Sequence, residues 1–126
     1  MNTKILGRWG EEQAAAYLQK KKYKIIGLGY RTRFGEIDIL AEKGNFLVFA
    51  EVKLRKNDRY GSGREFVDKN KQRRLILTAQ LWLSENETQK QPRFDVIEIY
   101  APDGILTKKP EIHHIENAFE TEDFGF

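Results

Sequence analysis

The strongest chemical signal in this sequence is a group of three carboxylates and a lysine on two short segments: Glu36, Asp38, Glu51 and Lys53. Polar and apolar side chains alternate along residues 36–42 and 46–54, which is typical of strands with one buried face. Gly44 and Asn45 between them suit a two-residue loop, so the segments are predicted to form an antiparallel hairpin. In that register Asp38 faces Glu51. The same register places Glu36 opposite Lys53.

Two facing carboxylates repel each other, because directly opposed Cβ atoms in a strand pair are only about 4.5–5.5 Å apart. A hard divalent cation removes that repulsion, since carboxylate oxygens are its preferred ligands. Moving the turn by one position on each strand places Glu36, instead of Asp38, opposite Glu51, which changes the ligands and keeps the site. A solvated strand face explains any one of these residues alone. The facing pair is better explained by a metal site.

The reverse face of the hairpin is apolar and is predicted to be the core: Ile37, Ile39, Ala41, Val48, Ala50 and Val52. A slip of one residue would turn the charges into that core, so the apolar pattern fixes the register. Only Leu40 and Phe49 interrupt the polar face between the charges and the turn. The hairpin is therefore expected to have one apolar and one charged face.

Five ordered segments of the chain resemble the small bacterial YraN family, which is related to the PD-(D/E)xK nucleases and to archaeal Holliday-junction resolvases. They are GRWGE at 7–11 with Ala14 and Tyr17-Leu18, Arg31 with Arg33, GEID at 35–38 with FAEVK at 49–53, KQRRL at 71–75 and RFDV at 93–96. The sequence departs from the superfamily motif at Ile37, where proline is usual, and from its relatives at Ala50, where valine is common. Neither change removes a reactive group.

The resemblance implies a restriction-endonuclease-like core of the α/β (α+β) class, with a central mixed β-sheet flanked by helices. It implies an endonuclease that uses Mg²⁺ or Mn²⁺ to hydrolyse phosphodiester bonds of DNA, with branched or junction DNA among its substrates. Resolvase relatives act as two-fold dimers, so a homodimer is also implied. Two alternatives stay open: a nucleic-acid-binding module that does not cut independently, and a protein-interaction domain that is no nuclease.

In the predicted mechanism the catalytic residues are Asp38, Glu51 and Lys53, and the metal ligands are Asp38, Glu51, the carbonyl of Val52 and Glu11. Glu11 enters on the resemblance, which aligns it with an N-terminal glutamate that leans toward the metal in related folds. Lys53 would orient or deprotonate the attacking water and offset negative charge. Either Glu11 or Glu36 would complete the metal shell, and in the favoured register Glu36 instead pairs with Lys53 as a supporting residue. The resemblance also gives Gln72 a supporting role.

Positive charge flanks the hairpin on both sides. Residues 1–33 and 53–74 each carry a net charge of +6, residues 34–52 carry −3, and the segment from Ser84 onward carries −6. Cations that hold a phosphate backbone around acids that hold a metal suit phosphodiester cleavage, although charged faces can also serve solubility alone. DNA is favoured over RNA as the partner. The predicted nucleic-acid-binding residues are Arg31, Arg33, Arg55, Lys56, Arg59, Arg64, Lys69, Lys71, Arg73 and Arg74.

The elements that must position these residues follow from periodicity and turn signals. Apolar residues at helical spacing predict helices over residues 3–21 and 65–84. The first helix places Glu11 at the edge of its buried face. Residues 23–31 suit a first strand whose glycines weaken the pattern, and residues 93–100 suit a late strand.

Several smaller expectations concern single side chains. Glu12, four residues after Arg8, is expected to be exposed and ion-paired with it. A short last strand follows the turn at Pro102-Asp103-Gly104. His113 and His114 in that strand point to opposite faces and are both expected at the surface.

Length and composition bound the class of protein. A chain of 126 residues is expected to form one domain over residues 1–126, with an acidic tail from about residue 117 to 126. No run of about 18 apolar residues is present, so no membrane span is predicted. Without cysteine, disulfides and thiolate metal sites are excluded. No signal peptide is recognisable, and a cytoplasmic location is expected.

Overall fold

The structure is a computed structural model, and it describes residues 3–56, 67–119 and 121. The elements, in chain order, are α1 (Thr3–Lys20), β1 (Lys24–Arg31), β2 (Glu36–Lys43), β3 (Phe46–Arg55), α2 (Lys69–Glu85), β4 (Gln91–Tyr100), a short 3-10 helix (Gly104–Leu106) and β5 (Glu111–Ile115). The predicted helices and strands are all found, with ends that differ by a few residues. The largest difference is the start of α2, where the Asp68 carboxylate accepts a hydrogen bond from the Lys71 amide at 2.8 Å and caps the helix.

The five strands form one sheet in the order β1-β2-β3-β4-β5. Three neighbouring pairs are antiparallel, and β3 and β4 are parallel. A parallel pair needs a crossover connection, which α2 supplies between β3 and β4. The result is an α+β fold with a mixed sheet, consistent with a restriction-endonuclease-like core, and the predicted fold class is confirmed.

Both faces of the sheet are covered, so the expectation of one apolar and one charged hairpin face is wrong. On one face α1 packs over a buried cluster that includes Ala14, Leu18, Ile39, Ala41, Val48, Ala50, Ile97 and Ile99. On the other face α2 packs over a second cluster that includes Leu40, Leu47, Phe49, Leu75, Ile76, Phe94 and Val96. Leu40 and Phe49 are therefore core residues, because α2 covers the face of the sheet that they share.

The hairpin register is as predicted, and its ladder ends just before the carboxylates. Lys43 pairs with Phe46 at the turn, and the last pair is Ile39 with Ala50. Beyond it the Asp38 side chain replaces a backbone acceptor, since its Oδ2 accepts a hydrogen bond of 2.8 Å from the Val52 amide. Alternation also fails at this point, because Ile37 belongs to the α2-side cluster and Ile39 to the α1-side cluster. The two strands thus separate at Asp38.

The C-terminal part of the described chain is anchored to β4. The prediction of two surface histidines is wrong for His114, whose side chain is 6% exposed because Tyr17 of α1 covers it. The Ala118 amide donates a hydrogen bond of 2.7 Å to the Phe94 carbonyl. Ala118 and Phe119, at the start of the predicted acidic tail, belong to the core, and residues 120 and 122–126 lie outside the described residues. No described helix has the length and apolar character that a membrane crossing requires.

Candidate functional site

Three carboxylates from two elements meet at the end of the hairpin. One oxygen each from Glu11 of α1 and from Glu36 and Asp38 of β2 lie within 4.8 Å of one another. All three residues are partly buried. The structure thus brings Glu11 and Asp38 together as predicted. Glu36, predicted as a supporting residue and as the alternative to Glu11 in the metal shell, belongs to the same group, which is called the acid cluster below.

Close packing of α1 on the sheet places Glu11 in this group. Ala14 and Leu18 are fully buried on the same side of the helix. Gly10 lets the helix approach β3, because a Cβ at this position would lie only 3.2 Å from the Leu54 side chain. Glu11 follows directly and lies near the N-terminal end of β2, which carries Asp38.

Gly29 of β1 leaves room beside the acid cluster. Its φ of +66° is in the left-handed region, and an added Cβ would lie 3.4 Å from Glu36 Oε1 and 3.9 Å from Glu11 Oε1. From the sequence, Gly29 was interpreted only as a residue that weakens the strand pattern. A glycine inside a strand also marks a close backbone approach, which is the signal that could have identified it.

The carboxylates of this region repel one another. Burial and the charge of Glu51 raise the pKa of Asp38 to about 7, although the hydrogen bond from the Val52 amide lowers it. The pKa of Glu11 is also raised, by burial and by the charge of Glu36. A cluster of hard oxygen donors that destabilise each other's charged forms fits a divalent cation such as Mg²⁺ or Mn²⁺.

Glu51 was predicted as a metal ligand, but its oxygens are not part of the 4.8 Å group. Its buried Oε1 lies 3.6 Å from Lys53 Nζ and 3.4 Å from Lys71 Nζ of α2. Glu51 is near enough to raise the pKa of Asp38, so it lies between the acid cluster and two ammonium groups. The amide of Val52, the residue after Glu51, donates a hydrogen bond to Asp38.

The predicted pairing of Glu36 with Lys53 is wrong. Glu36 faces Arg31 across the β1–β2 ladder, and Glu36 Oε2 lies 3.4 Å from Arg31 Nη2. The reason is that β2 separates from β3 beyond Ile39 but stays paired with β1. Lys53 is therefore oriented by Glu51.

Two clefts meet at the site and share Arg31 and Glu36. The α1 cleft, about 680 Å³ in volume, lies between α1 and β1, and the whole acid cluster lines it. The α2 cleft, about 430 Å³ in volume, is lined by four of the predicted nucleic-acid-binding residues, which are Arg31, Arg33, Lys71 and Arg74. The structure therefore places positive charge directly beside the carboxylates.

The remaining predicted residues lie elsewhere. Arg55 Nε lies 3.8 Å from the Oε2 atom of buried Glu98. Gln72 donates a hydrogen bond of 2.8 Å to the Val67 carbonyl and so holds the start of α2. Three exposed residues, Lys56, Lys69 and Arg73, line neither cleft. Arg59 and Arg64 lie outside the described residues.

Comparison with known proteins agrees with the motifs. The profile of the uncharacterised protein family UPF0102 matches residues 10–99, a range that includes the acid cluster, Glu51, Lys53 and Lys71. A UPF0102 protein of Caldanaerobacter subterraneus is 43% identical over 120 residues, covering 94% of this chain and 98% of its own. One of Syntrophomonas wolfei is 45% identical over 115 residues, covering 90% and 96%, and one of Geobacter sulfurreducens is 44% identical over 122 residues, covering 94% and 91%. The chain therefore belongs to the uncharacterised protein family UPF0102, the YraN family that its motifs indicated.

Proposed function

We propose that this protein is a metal-dependent endonuclease that hydrolyses phosphodiester bonds of DNA, with branched or junction DNA among its substrates. The observation that carries the proposal is the convergence of Glu11, Glu36 and Asp38 oxygens within 4.8 Å. Carboxylates are usually spread over the surface of a protein, whereas these three are partly buried together, with an ion pair of 3.4 Å from Arg31 to Glu36. A cleft lined by four basic residues adjoins them.

The acid cluster would hold Mg²⁺ or Mn²⁺, and Glu51 and the Val52 carbonyl are the further predicted ligands. Such an ion, when bound, lowers the pKa of water and stabilises negative charge on phosphate oxygens. Gly29 supports this use of the site, because it keeps the space next to Glu36 and Glu11 free of a side chain.

The lysines of the site act on the phosphate and on the attacking water. Lys53 and Lys71 reach Glu51 Oε1 from a strand and from a helix, at 3.6 and 3.4 Å. Glu51 fixes both ammonium groups at the border between the acid cluster and the α2 cleft. There they stabilise the charge that develops during displacement, and Lys53 orients the water. Arg31, Arg33 and Arg74 hold the neighbouring phosphate backbone.

A second candidate function is supported by the position of Glu51. Its pairing with two lysines keeps its oxygens out of the acid cluster. A protein in which this arrangement persists would bind nucleic acid and cut only after a partner or substrate rearranges Glu51. Such a protein would be a binding module on a nuclease fold.

The test compares cleavage by purified wild-type protein and point variants. Fluorescent branched, flap, single-stranded and duplex DNA, together with RNA, are incubated with protein and Mn²⁺. Asp38→Asn and Lys53→Ala are expected to reduce cleavage by a factor of at least about 10³ and 10², respectively. The matched controls Asp103→Asn and Lys24→Ala remove one exposed charge each and should cleave at the wild-type rate.

Each outcome separates the candidates. Cleavage that persists in both site variants would come from a contaminant and reject the proposal. Binding without cleavage by any form would favour the binding module. An absence of binding at low salt would favour a protein-interaction domain.

A further inference from the structure

The α1 cleft contains two basic residues that the proposed mechanism does not use. Lys4 and Arg8 line it together with Glu11 of the same helix. These positions are four and three residues apart, so they share one face of α1. With a rise of about 1.5 Å per residue, Arg8 lies about 4.5 Å and Lys4 about 10 Å from Glu11 along the helix axis. The helix thus places two cations in the cleft beside the acid cluster, together with the Glu12 carboxylate.

Arg8 is available to a ligand in this position. It was expected to pair with Glu12, yet among the described residues it takes part in none of the salt bridges. Its side chain is exposed. It is also close to the acid cluster, since its charge is among those that lower the pKa of Glu11.

The side of the α1 cleft formed by β1 contributes one apolar side chain. Leu28 lines the cleft beside Gly29 and Arg31 and is 51% exposed, one of the few exposed large apolar side chains among the described residues. An apolar side chain in a cleft with two cations suits a nucleotide, whose sugar and base need an apolar contact while its phosphate needs a cation.

The two clefts adjoin at Arg31 and Glu36, which line both. The α2 cleft has Arg33, Lys71 and Arg74. The α1 cleft has Lys4 and Arg8. Positive charge is therefore present on both sides of the carboxylates.

We propose that the α1 cleft is a second phosphate-binding site, in which Arg8 and Lys4 hold a phosphate next to the scissile one while the α2 cleft holds the chain on the other side. The inference rests on the proposed nuclease function and deepens it. It requires a substrate that extends in both directions from the cleaved bond, so internal bonds are cut and terminal nucleotides are poor substrates.

Measurements of nucleic-acid binding test the inference without requiring cleavage. The fluorescence anisotropy of a labelled single-stranded oligonucleotide is measured with Ca²⁺ at several salt concentrations. Arg8→Gln is expected to weaken binding about tenfold and to reduce the slope of log affinity against log salt by about 1. The control Lys20→Gln removes one positive charge from the exposed C-terminal end of the same helix and should change affinity less than twofold.

A series of oligonucleotides, each with one neutral methylphosphonate, locates the contact. At one position on one side of the cleaved bond, neutralising the phosphate should weaken wild-type binding and leave Arg8→Gln unaffected. Equal binding by Arg8→Gln and Lys20→Gln, with cleavage intact, would overturn the second site and leave the nuclease proposal standing. If wild-type protein binds no nucleic acid, both proposals fail.

Discussion

Two aspartates of the same sheet have opposite electrostatic surroundings. Asp95 of β4 is 1% exposed and accepts two hydrogen bonds from Arg93 at 2.9 and 2.8 Å and one from the Asn117 amide at 3.0 Å, with His114 Nε2 at 2.7 Å. Burial alone would raise its pKa, but the bonds from His114 and Arg93 hold the pKa of Asp95 below its usual value. Asp38 has one such bond, from Val52, and its pKa rises to about 7.

The difference separates a carboxylate whose charge is satisfied within the fold from one whose charge is opposed by its surroundings. The partners of Asp95 satisfy its charge and join β4 to β5 and to the segment that follows, so its network stabilises the fold. Asp38 lies among Glu11, Glu36 and Glu51, which destabilise its charged form. Burying repelling acids lowers stability unless a ligand relieves the repulsion, and such strongly raised pKa values are typical of functional sites.

The largest expected effect comes from breaking the satisfied network. Asp95→Ala leaves Arg93, whose side chain is 12% exposed, without its main partner, and the free energy of unfolding should fall by about 3–5 kcal/mol. Urea denaturation followed by circular dichroism measures the change. The exposed control Asp103→Ala should change it by less than about 0.5 kcal/mol. A loss as small as that for Asp95→Ala would mean that the network is not stabilising.

Removing the charge of Asp38 should instead increase the free energy of unfolding. Asp38→Asn keeps an acceptor for the Val52 amide and removes the repelled charge. In EDTA at pH 8 the variant should be more stable than wild type by about 2–4 kcal/mol, since the pKa shift runs from 3.8 to about 7. Denaturation under these conditions provides the measurement. Destabilisation instead would show that the carboxylate is satisfied without a metal.

The gain in stability of Asp38→Asn depends on pH, because the pKa of Asp38 is raised in the folded protein. A raised pKa favours folding where the group is protonated, and that contribution is lost as pH rises from 3.8 toward about 7. The advantage of Asp38→Asn in EDTA should therefore be near zero below pH 4 and grow until about pH 7. Because the pKa of Asp95 is lowered, its contribution is instead lost only as pH falls below 3.8. Denaturation midpoints of both proteins across this range check the prediction, and a constant difference would contradict it.

The smallest expected effect concerns the space beside the acid cluster. Gly29→Ala forces an alanine into a φ of +66° and should reduce stability by about 1 kcal/mol. Its Cβ would also lie 3.4 Å from Glu36 Oε1 and occupy space beside the acid cluster, so the rise in melting temperature on adding Mn²⁺ should shrink. Gly27→Ala on the same strand meets nothing within 4 Å and serves as the control. Equal Mn²⁺ responses of the two variants would argue against a cation next to Gly29.

Local sequence signals predicted the parts of the fold that local physics determines. The Gly44-Asn45 loop fixed the pairing of Lys43 with Phe46, and helical spacing predicted both helices. The motifs indicated the fold class and the meeting of Glu11 with Asp38. These features depend on residues close in the chain, or on a family pattern that already contains the long-range contacts.

The remaining features depend on which strands become neighbours. Ile37 and Ile39 lie on opposite faces because the β2–β3 ladder ends between them, and a two-residue period cannot show where a ladder ends. Glu36 pairs with Arg31 because β1 continues alongside β2. His114 is buried because Tyr17, 97 residues away, covers it. None of these three features follows from the spacing of residues in the sequence.

The packing of α1 on β3 at Gly10, where an added Cβ would lie 3.2 Å from the Leu54 side chain, has a consequence for the order in which the molecule opens. Glu11 belongs to α1, and the rest of the acid cluster belongs to β2. An ion bound by all three residues would therefore link α1 to the sheet. Fraying of α1 would then require release of the ion. Amide hydrogen exchange in residues 11–20 should accordingly slow on addition of Mn²⁺ in wild-type protein and stay unchanged in Glu11→Gln.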